Sequence, residues 1–256
     1  MKRTSELAPS GVVSLTTDFG LRDHYVAAMK AVIAGIAPAA RVIDVSHEVP
    51  PHDAQAAAYL LEACHADFPR GSVHVAVVDP GVGSERRALL VQTRDAWFVG
   101  PDGGCLDDAV RASGFVRAWR ITGSERRVSA TFHGRDLFAP LAAHLAAGHD
   151  VARWTEPTRW RPRRRRVART GCVVWVDRFG NLVTDIERAT LSGPLSGEVG
   201  RHRITHLHRT YADAAPGEPF FLWGSGDRLE VSVKEASAAA HLGVQTGCRV
   251  RVWRAR

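Results

Sequence analysis

The sequence predicts two domains of different fold class: an α/β domain with a mostly parallel sheet over residues 1–155, and a small all-β domain, a barrel or a sandwich, over residues 170–256. In the first region, apolar runs of strand length alternate with stretches of helical periodicity, as in parallel α/β sheets. In the second region, short strand patterns succeed one another between turn residues. Residues 156–169 are rich in Pro and Arg, which predicts a linker between the two domains.

The elements of the α/β region follow from the spacing of apolar residues. Continuous apolar runs indicate strands of a sheet that is covered on both faces. Apolar positions three or four apart indicate helices, and Asp53 stands where it can cap one of them. In chain order the pattern predicts strand GVVSLTTDF, helix HYVAAMKAVIAGI, strand RVIDV, helix AQAAAYLLEACHA, strand VHVAVVD, the hairpin ALLVQT and WFVG, and helix DLFAPLAAHLAAG.

The all-β region is predicted from runs rich in β-branched and aromatic residues, bounded by turn residues. In chain order these strands are CVVWVD, LVTDI, HRITHL, PFFLWG, RLEVSV and CRVRVW.

The excess positive charge of the chain lies in the predicted linker. Lys and Arg number 34 against 27 Asp and Glu, a net charge of +7, and the arginines from Arg159 to Arg169 account for the whole excess. A nucleic-acid-binding domain spreads its basic residues over a face. A solvated linker is therefore favoured, and nucleic acid is not an expected partner, although a polyanion contact stays open as an alternative.

The cysteines and the apolar segments restrict the class of protein further. The four cysteines are far apart and form no CxxC pair, so we expect free thiols, no metal ion, and a reducing, cytoplasmic compartment. No apolar stretch approaches the roughly 20 residues of a membrane span, so a membrane is not an expected partner. The first residues lack the pattern of a secretory signal.

A carboxylate follows the first predicted strand. Asp18 lies in the segment Thr16–Gly20, at the edge of an open α/β sheet where ligands bind. It can accept hydrogen bonds from both hydroxyls of a ribose. The alternative is that Asp18 caps the next helix.

Two further motifs carry the residue types of proton chemistry. In the segment 78–86, Pro80 and two glycines predict a tight turn, across which Asp79 and Arg86 can meet; a structural ion pair is the alternative. His133 stands in the segment 131–136, where Gly134 leaves room beside the imidazole. Histidine is suited to moving a proton near neutral pH, although a lone histidine is often structural.

Polar residues of the second domain form two more candidate segments. Asp177 and Asn181 lie within five residues of each other around Phe179, a set that could hold an amine, a ring face and a base edge. A plain turn formed by Gly180 and Asn181 is the alternative. Ser225 precedes the strand RLEVSV and could bind a ligand carboxylate, or belong to an ordinary hairpin.

Together these segments resemble the S-adenosyl-L-methionine hydroxide adenosyltransferase family, relatives of the fluorinase and chlorinase enzymes. The resemblance covers nearly the whole chain in order, and VDPGVGS and TFHGRD are its specific signals. The matching segments are TDFG (17–20), DHYVAAMKAVI (23–33), IDVSHEV (43–49), FPRGSVHVAVVDPGVGSERR (68–87), FVGPDGG (98–104), TFHGRDLFAP (131–140), DRFGNLVTDI (177–186) and SGDRLEVSVKEASAAAHLG (225–243).

The resemblance implies roles for individual residues. It implies a water-handling triad of Asp79, Arg86 and His133, and which of the three takes the proton stays open. The implied substrate-binding residues, besides Asp79, are Asp18 for the ribose, Asp177 and Ser225 for the methionine amine and carboxylate, Asn181 for the adenine, backbone groups from Val233 to Glu235 for the base, and His52 and Tyr211 as pocket walls. Gly103 and Gly224 depart from the family pattern, which has Asn at these turns.

The function that the resemblance implies is hydrolysis of S-adenosyl-L-methionine to adenosine and L-methionine, by in-line attack of water at C5′ and without a cofactor. It also implies a homotrimer with active sites at the subunit interfaces. Water is favoured over halide, because the halogenating relatives lack the Asp–Arg–His set and carry an extra loop. The alternatives are a halide-dependent 5′-halo-adenosine synthase, a non-catalytic protein that binds S-adenosylmethionine or adenosine, and a polyanion-binding module.

Overall fold

The computed structural model describes residues 7–163, 169–191 and 193–255. The chain divides into two compact units, Met1–Arg163 and Arg164–Arg256, each with its own sheet and core. The first part of the predicted linker belongs to the first unit, where Thr155–Pro157 form an edge strand and Trp160 is buried. Residues 164–168 of the predicted linker lie outside the described residues.

The first unit is an α/β structure. Its strands and helices, in chain order, are β1 (Val12–Thr17), α1 (Tyr25–Ile36), β2 (Arg41–Ser46), α2 (Ala54–His65), β3 (Val73–Val77), β4 (Ala88–Thr93), β5 (Trp97–Pro101), α3 (Asp107–Ala112), β6 (Phe115–Ile121), α4 (Ala139–Ala146) and β7 (Thr155–Pro157). A single π-helical turn, Gly134–Phe138, leads directly into α4.

The sheet of the first unit has the strand order β2-β1-β3-β5-β4-β6-β7. The strands β2, β1, β3 and β5 run parallel to one another, and β4, β6 and β7 extend the sheet beyond β5 in antiparallel pairs. The predicted mostly parallel α/β sheet is therefore confirmed, with an antiparallel extension at one edge. The hairpin predicted for ALLVQT and WFVG is the β4–β5 pair.

The helices pack in pairs, α1 on α4 and α2 on α3. Met29 and Ile33 of α1 share one core with Val13 and Leu15 of β1 and Leu141 of α4, all of them fully or almost fully buried. Asp53 caps α2, because its Oδ1 accepts hydrogen bonds from the backbone N–H groups of the second and third helical residues at 3.1 and 2.9 Å. No helix within the described residues combines the length and the apolar character needed to cross a bilayer.

The second unit is all-β apart from one short helix. Its elements are β8 (Thr170–Val176), β9 (Leu182–Glu187), β10 (Leu195–Val199), β11 (His202–Ile204), β12 (Pro219–Trp223), β13 (Arg228–Val233), α5 (Ala238–Leu242) and β14 (Arg249–Arg254). The sheet order is β11-β10-β14-β8-β9-β13-β12, and each neighbouring pair is antiparallel.

The sheet of the second unit is nearly closed into a barrel. The backbone that follows β11 pairs with the last strand of the order, since Phe221 N donates to His206 O and His208 N donates to Phe221 O, both at 2.8 Å. Closure of this kind protects the edges of a sheet. The predicted small all-β domain is thus confirmed.

Candidate active site

The candidate site of the first unit lies at the carboxyl ends of β1 and β3. Thr17 pairs in register with Val77, so these neighbouring strands end side by side. Asp18 follows the first strand and Asp79 follows the second. Because β2 and β3 lie on opposite sides of β1, this is the point where the strand order reverses, and a ligand crevice is expected there.

A cleft of about 530 Å³ opens at this point, within the volume range of small-molecule sites. Four of the predicted site residues line it: Asp18, His52, Asp79 and His133. Arg86 lies beside the cleft and bonds two of these residues. The structure therefore brings together the five first-unit residues that the sequence singled out.

Aromatic side chains form one wall of the cleft. The ring of Phe132 packs edge-on against Tyr25, with centroids 5.2 Å apart, and against Phe19 at 5.9 Å. The guanidinium of Arg135 lies over the same Phe132 ring, 4.9 Å from its centroid. A cleft lined by both aromatic rings and carboxylates suits a ligand that has a flat apolar part and hydroxyl groups.

Arg86 joins the predicted triad into one hydrogen-bonded set. Its Nε donates to Asp79 Oδ1 at 2.8 Å, and its Nη2 donates to Asp79 Oδ2. The same Nη2 lies 2.6 Å from Nδ1 of His133. The side chains of Asp79 and Arg86 are 7% and 12% exposed, so the pair is shielded from water on most sides.

The charges of the set determine the protonation of His133. A guanidinium has no acceptor, so Nδ1 must accept the hydrogen bond from Arg86 and the proton of the neutral ring must sit on Nε2. Burial lowers the pKa of His133, and the positive charge of Arg86 lowers it further. The imidazole is accordingly neutral near pH 7, with Nε2 as a donor.

The turn that carries the ion pair depends on close backbone packing. Gly83 has a φ of 78°, and a Cβ at this position would lie 2.5 Å from the carbonyl oxygen of Ala130. Only glycine adopts this conformation without strain, and the close approach brings the turn against the segment that precedes His133. The glycines of the VDPGVGS motif thus bring two separate segments of the site into contact.

Asp136 fixes the loop that carries His133. Its carboxylate accepts hydrogen bonds from Arg135 Nε and Nη2 at 2.7 and 2.8 Å and from Ser129 N at 3.0 Å, and the residue is 1% exposed. The hydrogen bonds from Arg135 lower the pKa of Asp136 despite its burial. Asp136 therefore remains ionised and ties Ser129, at the start of the loop, to the π-helical turn.

Gly134 lies against α1 and the aromatic wall of the cleft. A Cβ there would lie 3.2 Å from Sδ of Met29 and 3.4 Å from the ring of Phe19. Its lack of a side chain therefore makes room for these two neighbours. The expectation that Gly134 also leaves room beside the imidazole of His133 stays a prediction.

Asp18 does not cap the next helix. The residue before α1 is His24, and Asp18 Oδ2 instead accepts the backbone N–H of His52 at 2.9 Å. His52 has a φ of 68°, an uncommon conformation for a residue other than glycine. The rest of the Asp18 carboxylate borders the cleft.

In the second unit, Asp177 organises the turn between β8 and β9. Its Oδ1 accepts hydrogen bonds from Phe179 N at 2.9 Å and Asn181 N at 2.8 Å, and its Oδ2 accepts from Asn181 Nδ2 at 2.8 Å. The turn alternative for this motif is thus present in the structure. Phe179 stands at the turn with 78% of its surface exposed.

The residues that follow Glu235 lie beside that turn. Ala239 N donates to the carbonyl of Gly180 at 2.9 Å, and a Cβ on Gly180 would overlap Ser237. Glu235 has a φ of 59°, which bends the backbone after β13. Two segments that the sequence marked separately are therefore neighbours in the second unit.

Glu230 connects Tyr211 to the Ser225 hairpin. Tyr211 OH donates to Glu230 Oε2 at 3.2 Å, and Glu230 Oε1 occupies the space that a Cβ on Gly224 would need. Burial raises the pKa of Glu230, and the nearby charge of Asp177 raises it further, although the Tyr211 hydrogen bond opposes this. Burial and the Glu230 carboxylate raise the pKa of Tyr211 to about 12. Ser225 is exposed at the hairpin tip.

Comparisons with known proteins match both units. Residues 13–155 match the model of the SAM hydroxide adenosyltransferase N-terminal domain, and residues 171–251 match that of the C-terminal domain. The chain belongs to the S-adenosyl-L-methionine (SAM) hydroxide adenosyltransferase family.

Members and relatives of this family include proteins of two activities. The chain is 42% identical to the (R)-S-adenosyl-L-methionine hydrolase of Salinispora tropica, over 96% of this chain and 99% of that protein. It is 25% identical to a fluorinase of Actinopolyspora mzabensis, over 95% of this chain and 97% of the fluorinase. A crystal structure of an uncharacterized conserved protein from Thermotoga maritima superposes with a TM-score of 0.84 at 33% identity, covering 94% of this chain and all of that one.

Three features of this family member were not predicted as parts of the site. Asp136 belongs to the TFHGRD motif, but a single sequence gives no sign that it anchors the loop. Glu230 appears in the sequence as an ordinary strand residue, and its hydrogen bond with Tyr211, 19 positions away, depends on tertiary packing. The aromatic wall was indicated only weakly in the sequence, by Phe19 and Tyr25 in or after TDFG and by Phe132 in TFHGRD. Among the described residues, no group of three or more His, Cys, Asp or Glu side chains could hold a metal ion.

Proposed function

We propose that this chain hydrolyses S-adenosyl-L-methionine to adenosine and L-methionine. The observation that carries the proposal is the bonded set of Asp79, Arg86 and His133 at the wall of a cleft of about 530 Å³. The 42% identity to a hydrolase over almost the full length of both chains supports the same reaction.

The reaction needs positioning more than acid catalysis. The substrate is a sulfonium, so methionine leaves as a neutral thioether without protonation. The oxygen nucleophile must instead be held in line with the C5′–S bond, which is the kind of effect that proximity and orientation supply. A water molecule held by the triad beside C5′ meets this need.

The hydrogen bonds indicate how the water proton leaves. His133 carries its proton on Nε2, so the imidazole orients the water by donating to its oxygen. Asp79 is the acceptor of the set, and the attacking water gives its proton to this carboxylate as the C–O bond forms. Arg86 holds the carboxylate in place and keeps His133 neutral. The sequence left the proton acceptor open, and we assign it to Asp79.

We propose that the other predicted residues bind the substrate. Asp18 holds the ribose hydroxyls, and His52 and Tyr211 form walls. Asp177 and Ser225 hold the methionine amine and carboxylate, with Asn181 and backbone groups from Val233 to Glu235 at the adenine. The reaction uses no cofactor. The resemblance supports a homotrimer, and sedimentation equilibrium would measure this oligomeric state. It also supports a cytoplasmic location.

The preferred substrate is the epimer with R configuration at sulfur. This follows the name of the Salinispora tropica hydrolase. The two sulfonium epimers direct the methionine chain differently from C5′, so one fixed site cannot hold both equally. Separate kcat/KM values for the purified epimers test this preference.

Halide is disfavoured as the nucleophile. The buried carboxylate of Asp79 repels an anion at the position of the water, and Arg86 already donates to both of its oxygens. For the polyanion-binding alternative, Arg163 of the arginine run lies 3.7 Å from Asp107, so its charge is partly balanced within the first unit. The remaining arginines of residues 164–166, on which that alternative depends, lie outside the described residues.

The experiment that tests the proposal is product analysis with purified protein. The parent protein should release one adenosine for each methionine from the R epimer, and the same ratio from any S epimer that it turns over. Asp79→Ala should bind adenosine but release neither product at the parent rate. Addition of fluoride or chloride should yield no 5′-halo-adenosine. Binding of substrate without turnover in the parent protein would instead support a non-catalytic sensor, and halo-adenosine would support the synthase.

A further inference from the structure

His47 is a buried imidazole that the proposed mechanism does not use. It follows β2, and its side chain is 2% exposed. Its Nδ1 lies 2.8 Å from Oγ1 of Thr17, and its Nε2 lies 3.1 Å from Oδ1 of Asp44. Lys30 donates to the other carboxylate oxygen of Asp44 at 2.6 Å. These four residues, Lys30, Asp44, His47 and Thr17, form a polar chain from the surface to the end of β1.

The polar chain has a single hydrogen-bond direction. Burial alone would raise the pKa of Asp44, but the hydrogen bonds from Lys30 and His47 outweigh it and lower the pKa. The ionised carboxylate lies 3.1 Å from Nε2 of His47, a contact given by distance and not by hydrogen-bond geometry; its negative charge favours the tautomer with the proton on Nε2, in which Nδ1 accepts from the Thr17 hydroxyl. Oγ1 of Thr17 is then left to accept the backbone N–H of Phe19 at 3.3 Å.

The same segment holds the loop Thr17–Gly20 by its backbone. Gly20 N donates to the carbonyl of His47 at 2.7 Å, and Val49 N donates to the carbonyl of Thr17 at 3.3 Å. His52 N then donates to the Asp18 carboxylate at 2.9 Å. The loop is thus fixed on both sides of Asp18. Within it, the His47 side chain contacts Thr17, the first residue of the loop.

We propose that His47 is a positioning residue that acts through Thr17 to hold the Asp18 loop in the geometry that binds a nucleoside. This inference rests on the proposed function, in which Asp18 binds the ribose. A carboxylate that accepts hydrogen bonds from two ribose hydroxyls must be held in a fixed orientation. A preorganised loop avoids the free-energy cost of ordering the loop on binding. The polar chain supplies that order from outside the set of residues that line the cleft.

The test removes the Thr17 hydroxyl without changing its shape. Thr17→Val deletes both hydrogen bonds of Oγ1, whereas Thr17→Ser keeps them. We expect Thr17→Val to raise the adenosine Kd, measured by calorimetry, and the substrate KM by about tenfold, as for the loss of a buried hydrogen bond, with kcat unchanged. Thr17→Ser should restore values within about twofold of the parent.

A matched control lies on the same strand. Ser14 Oγ makes a buried contact of 2.7 Å with Nδ1 of His74, an equivalent hydroxyl–imidazole pair that does not touch the loop. Ser14→Ala should therefore lower the unfolding temperature without changing the adenosine Kd. An equal rise in Kd for Ser14→Ala and Thr17→Val would show a general loss of structure and overturn the positioning role.

A second variant tests the outer part of the chain, where folding is not at risk. Asp44→Ala removes the partly exposed carboxylate beside His47, and Asp95→Ala removes a surface ion pair with Arg70 elsewhere in the unit. We expect Asp44→Ala to raise the Kd and KM about threefold and Asp95→Ala to leave them at parent values. Parent values in both Thr17→Val and Asp44→Ala would overturn the inference. Failure of the parent protein to bind adenosine would instead contradict the proposed function.

Discussion

Nη2 of Arg86 lies 2.6 Å from Nδ1 of His133. Because a guanidinium can only donate, this contact fixes the tautomer of the histidine and makes its Nε2 a donor toward the cleft. The two residues are 47 positions apart in the chain, and the turn at Gly83 brings their segments together. The assignment of proton acceptor and donor in the site follows from this one contact.

Removal of the carboxylate should impair the chemical step and spare binding. Asp79→Asn keeps the shape of the side chain but removes the negative charge that accepts the water proton. We expect kcat to fall by about 10²–10⁴-fold, the usual range for general-base assistance, with the adenosine Kd changed less than threefold. Steady-state rates and calorimetry measure the two quantities. A parent-like kcat would remove Asp79 from the mechanism.

The acid limb of the pH profile should report the titration of His133. Burial and the Arg86 charge lower its pKa, so the limb of kcat/KM should lie below pH 6.5. As the pH falls through this pKa, Nδ1 gains a proton, loses its ability to accept from Arg86, and activity declines. In Arg86→Gln the positive charge is absent, so the His133 pKa, followed by NMR, should rise. An unchanged pKa would show that Arg86 does not act on this imidazole.

Asp136 should contribute to stability and to activity through the His133 loop. Asp136→Asn weakens the hydrogen bonds with Arg135 and Ser129, which join a charged, buried carboxylate to the loop. We expect the free energy of unfolding to fall by about 2 kcal/mol, as for hydrogen bonds to a charged group, and kcat to fall with it. Because the pKa of Asp136 is lowered, its contribution is present near neutral pH and is lost in acid. Urea titrations of the parent and the variant at pH 7 and pH 3 measure the loss in free energy of unfolding. An equal loss at the two pH values would contradict this prediction.

Asp107 should have the opposite pH dependence. Burial raises its pKa from 3.8 to about 6, although the charge of Arg163 opposes this. The folded protein therefore binds this proton more tightly than the unfolded chain, and the resulting stabilisation is lost as the pH rises through 6. Asp107→Asn should raise the free energy of unfolding more at pH 8 than at pH 4, by up to about 3 kcal/mol. Asp95→Asn, at an exposed position, is the control and should show no such difference.

The local parts of this arrangement could be predicted from the sequence. The meeting of Asp79 and Arg86 needs only a tight turn with Pro and Gly between them, and the Asp53 cap needs only its position before a helical pattern. The edge that carries Asp18 and Asp79 follows from two strands that each end in an acidic residue. These features depend on contacts between residues close in sequence or on a general rule of α/β sheets.

The parts that depend on tertiary packing could not be predicted. The strand β10 was missed because Gly197, which has low strand propensity, stands at its centre; a Cβ there would lie 2.8 Å from the Phe221 ring. The packing of Gly134 against Met29 likewise joins segments distant in sequence. The tautomer of His133 depends on a hydrogen bond with Arg86, 47 positions away, and this contact forms only in the folded chain.

The most direct test of the account follows the oxygen of the attacking water. Reaction of S-adenosylmethionine in ¹⁸O-labelled water should place one labelled oxygen at the 5′ position of adenosine, with unlabelled L-methionine as the other product. Label in an amino-acid product accompanied by 5′-methylthioadenosine would place the attack on the methionine chain instead. That result would contradict the central claim that the Asp79, Arg86 and His133 set delivers water to C5′.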